Sequence, residues 1–242
     1  MKVLNDLLWD GELKIFQDTE YFKFSIDSIL LANFVTVNKS IDRILDIGTG
    51  NAPIPLMLTK RTDAIIEAIE IQEKSYDLAL ESIKYNNLDN QINLILGDIK
   101  EKYINFNNNF YDSIVSNPPY YKSNMKKSIH EGKKIARSEE NLSLEDIFKI
   151  SRKLLKDGGN IAIVNDTERL SEIIELMKQN SIEPKRIQFV HPKESKNSKF
   201  FLIEGTKNGK PGLKVLEPIF IQNDKNEYTL YIENILNNFG KY

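Results

Sequence analysis

The sequence predicts an α/β fold, a doubly wound and mostly parallel sheet of seven strands, on three observations. Short apolar runs alternate with helical segments from residue 41 to residue 204. Successive runs end in Asp, Glu or Gly-Asp, the sites where open sheets place polar groups for ligands. The fourth run is halted by Asn117-Pro118-Pro119-Tyr120, because two prolines donate no ladder hydrogen bonds and hold φ near −65°.

The elements follow in order. Short alternating runs at residues 13–17 and 21–24 predict a small hairpin or strand pair. Ser25 and Asp27 then introduce the apolar run 29–35, a capped helix lying over the sheet. Residues 41–47 form the first strand, and Gly48-Thr49-Gly50-Asn51-Ala52 turns it into a helix starting at Pro53. Strands at 64–70, 92–98 and 110–117 follow, with a helix at 72–85 after the first of them. A helix at 144–155 is stopped by Asp157-Gly158-Gly159, and a fifth strand covers 160–164. A helix at 168–179 and strands at 186–190 and 200–204 complete the core. Residues 205–226 are loop-rich with one strand at 218–221, and 228–236 form a terminal helix. The expectation is one domain over 1–242, with an extension at 1–40, a core at 41–206 and a second extension at 207–242.

Composition narrows the function. No cysteine is present and only two histidines, so a disulfide scaffold, a zinc ribbon and a histidine-built metal site are not expected. No signal peptide or membrane-spanning run occurs, and a cytoplasmic protein with no membrane, metal or evident protein partner is the expectation. The net charge of −2 conceals an asymmetry. Residues 120–138 and 185–214 together carry 14 of the 33 basic and 3 of the 35 acidic residues, a balance of +11 against −13 elsewhere. Two basic segments flanking one corner suit a polyanion.

The residues at the strand ends suggest which small molecule binds. Gly48 and Gly50 allow close backbone approach, but Pro53 stands where the dinucleotide fingerprint needs a third glycine or alanine. An acid at Asp46 would repel a pyrophosphate and suit a cation, and S-adenosylmethionine carries a sulfonium and an ammonium. Glu70 is placed to accept from a ribose diol and Asp98 from an adenine amino group. Asn117 and the Pro118 carbonyl present two acceptors at a rigid corner.

These residues resemble the motifs of the class I S-adenosylmethionine-dependent methyltransferases over nearly the whole chain. The resemblance implies a Rossmann-like methyltransferase fold and a cofactor site of Asp46, Gly48, Thr49, Gly50, Asn51, Glu70, Ile71, Asp98, Ile99 and Asn117. It implies transfer to a nitrogen of a planar system, catalysed by Asn117, Pro118, Pro119 and Tyr120. Within that class the chain is most similar to the bacterial tRNA(Val) adenine-37 N6-methyltransferases. The resemblance rests on Asp27-Ser28-Ile29-Leu30-Leu31-Ala32, Ala136-Arg137, His191-Pro192-Lys193, Phe201-Leu202-Ile203-Glu204-Gly205 and Glu227-Tyr228-Thr229. Ser138 departs from that family's histidine. The implied partner is a tRNA anticodon loop, whose unpaired base is cheap to extrude. Candidate RNA contacts are Lys122, Lys126, Lys127, Lys133, Lys134 and Arg137, then Lys196, Lys199, Lys207 and Lys210. The corner alone leaves open a glutamine N5-methyltransferase acting on release factors, or another RNA methyltransferase acting on an exocyclic amine. The short segment before residue 41 and the split charge favour tRNA.

Overall fold

The structure, a computed structural model, describes residues 1–18, 25–119 and 142–241. Seven long strands form the centre of one sheet: β3 (Arg43–Ile47), β4 (Ile65–Glu70), β5 (Ile92–Leu96), β6 (Tyr111–Ser116), β7 (Leu155–Asp166), β8 (Ile182–Lys193) and β9 (Phe200–Lys207). Their order is β5-β4-β3-β6-β7-β9-β8, parallel except for β9, which runs antiparallel to both neighbours. The chain winds outward from β3 through β4 and β5, then returns to place β6 on the other side of β3. The crevice outside the carboxyl ends of β3 and β6 is therefore a topological switch point.

In-register alternation gives the sheet two cores. Ile44, Ile66, Val115, Ala162, Val164 and Leu202 face one layer, built with helices α1 (Ile26–Phe34), α2 (Pro53–Leu58), α3 (Glu73–Tyr85) and a C-terminal helix at Leu230–Asn238. Leu45, Ile47, Ile114, Ile161, Ile163 and Phe201 face the other layer. There they meet α4 (Ile99–Lys102), α5 (Leu144–Leu154) and α6 (Leu170–Gln179), and the C-terminal helix is thus α7. Helix α5 starts at a capping box in which Ser143 and Asp146 satisfy each other's backbone N–H. No helix among the described residues is long and apolar enough to cross a membrane.

Several boundaries differ from expectation for identifiable reasons. The N-terminal hairpin pairs β1 (Lys2–Asp6) with β2 (Lys14–Asp18), and the run at 21–24 lies outside the described residues. Strand β1 is mostly exposed, so its sequence carries no alternation. β7 begins at Leu155, where α5 ends, and a register irregularity opposite Tyr111 and Ser113 absorbs the glycine pair. Gly158 sits at φ +81° there. β8 and β9 run longer than their apolar centres. Two short strands, β10 (Lys214–Val215) and β11 (Ile219–Gln222), pair with the outer edge of β8, extending the expected seven strands to nine.

Several ties hold the N-terminal segment against the rest of the fold. Asn86 exchanges side-chain hydrogen bonds with both backbone groups of Lys14, and Ser82 Oγ accepts from the Phe16 N–H, so β2 lies along α3. Arg61 donates to the carbonyls of Ala32 and Val35 at the end of α1. Arg186 on β8 donates to the Phe34 carbonyl at 2.7 Å and the Thr36 hydroxyl at 2.9 Å, stacks on the Phe34 ring, and pairs with buried Glu204. Replacing Arg186 by methionine strands the Glu204 charge. Urea denaturation is expected to show a loss of about 3 kcal/mol, largely restored when Glu204→Gln is added. An unchanged midpoint in the single variant would contradict this account.

Candidate active site

The β3–α2 turn owes its shape to Gly48 at φ +73° and Gly50 at φ +61°. The left-handed backbone favours glycine at both positions, and a Cβ at either would meet no atom within 4 Å, so the space beyond is open. The turn's donors face inward. Gly48 and Thr49 both donate to the Ile69 carbonyl at 3.0 Å, Gly50 donates to Glu70 Oε2 at 2.8 Å, and Ala52 donates to the Thr49 carbonyl. A diphosphate cradle requires such N–H groups to point at the ligand. These four do not, and the six-residue α2 behind them adds little dipole.

Asp46 is fully buried at the end of β3, and among the described residues neither carboxylate oxygen has a hydrogen-bond partner. Burial raises its pKa to about 7. The nearby Thr49 hydroxyl opposes that shift and the charge of Glu70 reinforces it. Asp46 pairs with Ala68 on one side and Val115 on the other. Glu70 and Asn117 therefore each stand two residues, about 7 Å of strand, beyond it and on the same face of the sheet. The three side chains stand on one face at the carboxyl ends of neighbouring strands, at the switch-point crevice the topology creates.

Each expected cofactor residue has a definite environment. Glu70 is buried, accepting from Gln72 N–H through Oε1 and Gly50 N–H through Oε2, each at 2.8 Å. Burial raises its pKa and these backbone bonds oppose the rise. Each oxygen keeps a lone pair for another donor. Ile71 beside it is 43% exposed, an apolar surface at the crevice edge. Asp98 caps α4, accepting from the Lys100 N–H at 2.8 Å, which engages one of its oxygens. Thr49 is buried and its hydroxyl has no hydrogen-bond partner among the described residues. Two of the expected residues turn their side chains away from the crevice. The Ile99 side chain belongs to the core layer that holds Ile47 and Ile69, because the first turn of α4 points it inward. The Asn51 amide donates to the Phe16 carbonyl at 2.9 Å, so it ties β2 to the turn.

The corner closes the other side. Ser116 Oγ donates to the Ile47 carbonyl at 2.8 Å, pinning the end of β6 to β3. Pro118 is buried, while Asn117 and Pro119 are half-buried. Asn117 Nδ2 donates to Ser28 Oγ of α1 at 2.9 Å, leaving Oδ1 as the acceptor for an incoming donor. Sequence reasoning gave Ser28 no role. Its signal was a polar residue opening an otherwise apolar run. Tyr120, Lys122, Lys126, Lys127, Lys133, Lys134 and Arg137 lie outside the described residues.

The C-terminal lysines divide by sheet edge. Asp166 at the end of β7 pairs with Phe200, so the β8–β9 turn carrying exposed Lys196 and Lys199 lies at the same edge as the corner. Lys207 pairs with Ile182 at the opposite edge, buried, its ammonium bonded to Asn109 Oδ1 at 2.7 Å and the Leu155 carbonyl at 2.8 Å. It is a structural cation and not the RNA contact expected. Lys210 is exposed, but three residues past Lys207 it lies at that far edge too.

The methyltransferase small domain family model matches residues 23–183. A Parabacteroides distasonis protein named tRNA1(Val) (adenine(37)-N6)-methyltransferase is 35% identical over 190 residues, spanning 78% of this chain and 79% of its own. A protein of the same name from Bacteroides fragilis strain YCH46 is 32% identical, spanning 81% of each. Among solved structures, one described as a predicted O-methyltransferase from Agrobacterium tumefaciens superposes with a TM-score of 0.70 at 17% identity. That match covers 87% of this chain and 95% of the other. The P. horikoshii TYW2 complex with MeSAdo gives 0.58 at 15% identity, covering 85% and 73%. These two share the fold.

The lone carboxylate yields a stability test. A carboxyl whose pKa is raised from 3.8 to about 7 on folding is neutral in the native state below that range. Its destabilising effect grows as pH rises from about 4 to about 7 and is then complete. Asp46→Asn is expected to raise the melting temperature of the ligand-free protein at pH 8, with the gain shrinking steadily toward pH 4. A gain independent of pH would show that the carboxylate is satisfied in the native state.

Proposed function

This chain belongs to the methyltransferase small domain family and, within it, to the tRNA1(Val) (adenine(37)-N6)-methyltransferases, and from that premise we propose the following reaction. The protein methylates the exocyclic N6 of an adenine in the tRNA anticodon loop, position 37 of a tRNA-Val type substrate, with S-adenosylmethionine as donor. The single observation that carries the site assignment is the placement of Asp46, Glu70 and Asn117 on one face at the carboxyl ends of neighbouring strands.

The residues suit the cofactor's chemistry. S-adenosylmethionine brings an ammonium, a ribose diol and a methyl group on a sulfonium leaving group. Asp46, buried without a partner among the described residues, is the carboxylate that would hold the ammonium. Glu70, fixed by two backbone donors, would accept from the diol through its remaining lone pairs. Ile71 and Asp98 would flank the adenine. A dehydrogenase reading is disfavoured because four of the turn's N–H groups, those of Gly48, Thr49, Gly50 and Ala52, are already bonded within the protein.

The amine of adenine is a poor nucleophile because its lone pair is delocalised into the ring. Asn117 Oδ1 and the Pro118 carbonyl would each accept one N–H bond from it, favouring a tetrahedral nitrogen whose lone pair faces the methyl. The proton lost after transfer leaves to solvent. Catalysis on this account is alignment and polar stabilisation, without a strong base. Tyr120 would stack on the extruded base. Lys196 and Lys199 at the corner's edge, with the basic segment from Lys122 to Arg137, would bind flanking phosphates.

Labelled S-adenosylmethionine incubated with a tRNA-Val transcript is expected to give N6-methyladenosine at position 37. Label found in a release factor and not in tRNA would overturn the reading. Asn117→Ala is expected to lower kcat at least about 100-fold, as loss of a transition-state acceptor does, while calorimetry shows cofactor affinity retained. Lost cofactor affinity would instead make Asn117 a binding residue. Lys196→Ala with Lys199→Ala is expected to weaken tRNA binding and to reduce the logarithmic salt slope by about one for each phosphate no longer neutralised. Lys210→Ala is expected to leave the slope unchanged, and an equal effect from both would remove the edge assignment.

A further inference from the structure

We propose that Ser28 is a positioning residue for this reaction, holding the Asn117 amide so that its oxygen and not its nitrogen meets the incoming amine. The inference rests on the role given to Asn117 above and adds what makes that role possible. A carboxamide has two ends of nearly equal size and opposite chemistry, one accepting and one donating. The terminal torsion of asparagine is broad and roughly two-fold, so packing alone scarcely separates the two orientations. A hydrogen bond to one end does. In the inverted orientation Asn117 would present N–H groups to an amine that must itself donate, and no tetrahedral nitrogen would be favoured.

Ser28 is well placed to make that choice. Its Oγ accepts from Asn117 Nδ2 at 2.9 Å across 89 positions of sequence. The residue is 3% exposed, in a helix whose following residues Ile29, Leu30, Leu31 and Ala32 are all buried. A serine hydroxyl oxygen carries two lone pairs, so accepting from Asn117 is within its capacity. The Ser28 N–H is held by Asp27 Oδ1 at 2.8 Å and the Ser25 carbonyl at 3.1 Å, so the first turn of α1 is fixed. The last turn is clamped by Arg61 and Arg186. The segment ahead of the first core strand thus sets the orientation of a side chain on the fourth.

The test compares wild type, Ser28→Ala, Asn117→Asp and the double variant for kcat, KM for tRNA and calorimetric affinity for S-adenosylmethionine. Ser28→Ala is expected to lower kcat about five- to tenfold, the size of one lost neutral hydrogen bond, with KM and cofactor affinity within about twofold of wild type. In the Asn117→Asp background both side-chain ends are oxygens, orientation ceases to matter, and Ser28→Ala is expected to change kcat less than about twofold. An equal loss in both backgrounds, or a loss expressed in cofactor affinity, would overturn the assignment. Should Asn117→Asp turn over too slowly to assay, the side-chain amide of Asn117 decides by NMR. Solvent exchange at least about tenfold faster in Ser28→Ala supports the proposal, and equal exchange overturns it. Wild-type protein that labels no tRNA overturns the functional reading itself, whereas active wild type matched by Ser28→Ala removes only the role of Ser28.

Discussion

A buried carboxylate with no hydrogen-bond partner among the described residues stands at the centre of this molecule, and the surrounding architecture explains why it stays so. In the turn that follows Asp46 the N–H groups of Gly48 and Thr49 are directed to the Ile69 carbonyl and that of Gly50 to Glu70, which leaves the Thr49 hydroxyl as the donor beside the carboxylate. Two glycines in left-handed geometry make that direction possible. The result is a turn tied to β4, a Glu70 held by two backbone donors and a carboxylate buried at the end of β3. Isolated buried charge is costly, on the order of several kcal/mol, and burial answers by raising the Asp46 pKa. A cationic ligand relieves both. The same backbone bonds that build the turn engage the N–H groups of Gly48, Thr49, Gly50 and Ala52, so these four are not aimed outward as a phosphate cradle needs.

The N-terminal segment completes the crevice. Helix α1 lies on the face to which Asp46, Glu70 and Asn117 project, buried along almost its whole length. Arg61 and Arg186 bind its carboxyl end, while Asn51 draws the β2 strand to the glycine turn. Each of these contacts uses a side chain to satisfy a backbone carbonyl. The crevice is consequently walled by the sheet, by the turn and by a helix that precedes both.

Much of this was legible in the sequence, and the exceptions share a cause. The seven long strands could be read because buried β-strands are continuous apolar runs and because Asp, Glu, Gly and Pro punctuate their ends. The expected acids Asp46 and Glu70 and the Asn117 corner come together because parallel register converts equal positions in successive strands into neighbours. Strands β1 and β10 are exposed, so no alternation announced them. Lys207 and Lys210 were grouped with Lys196 and Lys199 because a charge count cannot tell one sheet edge from the other. Asn51 and Ile99 lie within motif spacing, but spacing does not fix which way a side chain turns. Ser28 was visible only as a hydroxyl in an apolar helix. Its partner, 89 residues away, required the fold.

The central claim is that Asp46 is left unpaired for the amino group of the cofactor. Calorimetry with S-adenosylmethionine and with the same sulfonium nucleoside lacking the α-amino group tests it most directly, on wild type and Asp46→Asn at pH 8. The account predicts that wild type binds the amine-bearing compound at least about tenfold more tightly, the scale of one charge-assisted hydrogen bond, and that Asp46→Asn loses most of that preference. The same preference in both proteins would contradict it, placing the ammonium elsewhere and leaving the buried carboxylate without a ligand.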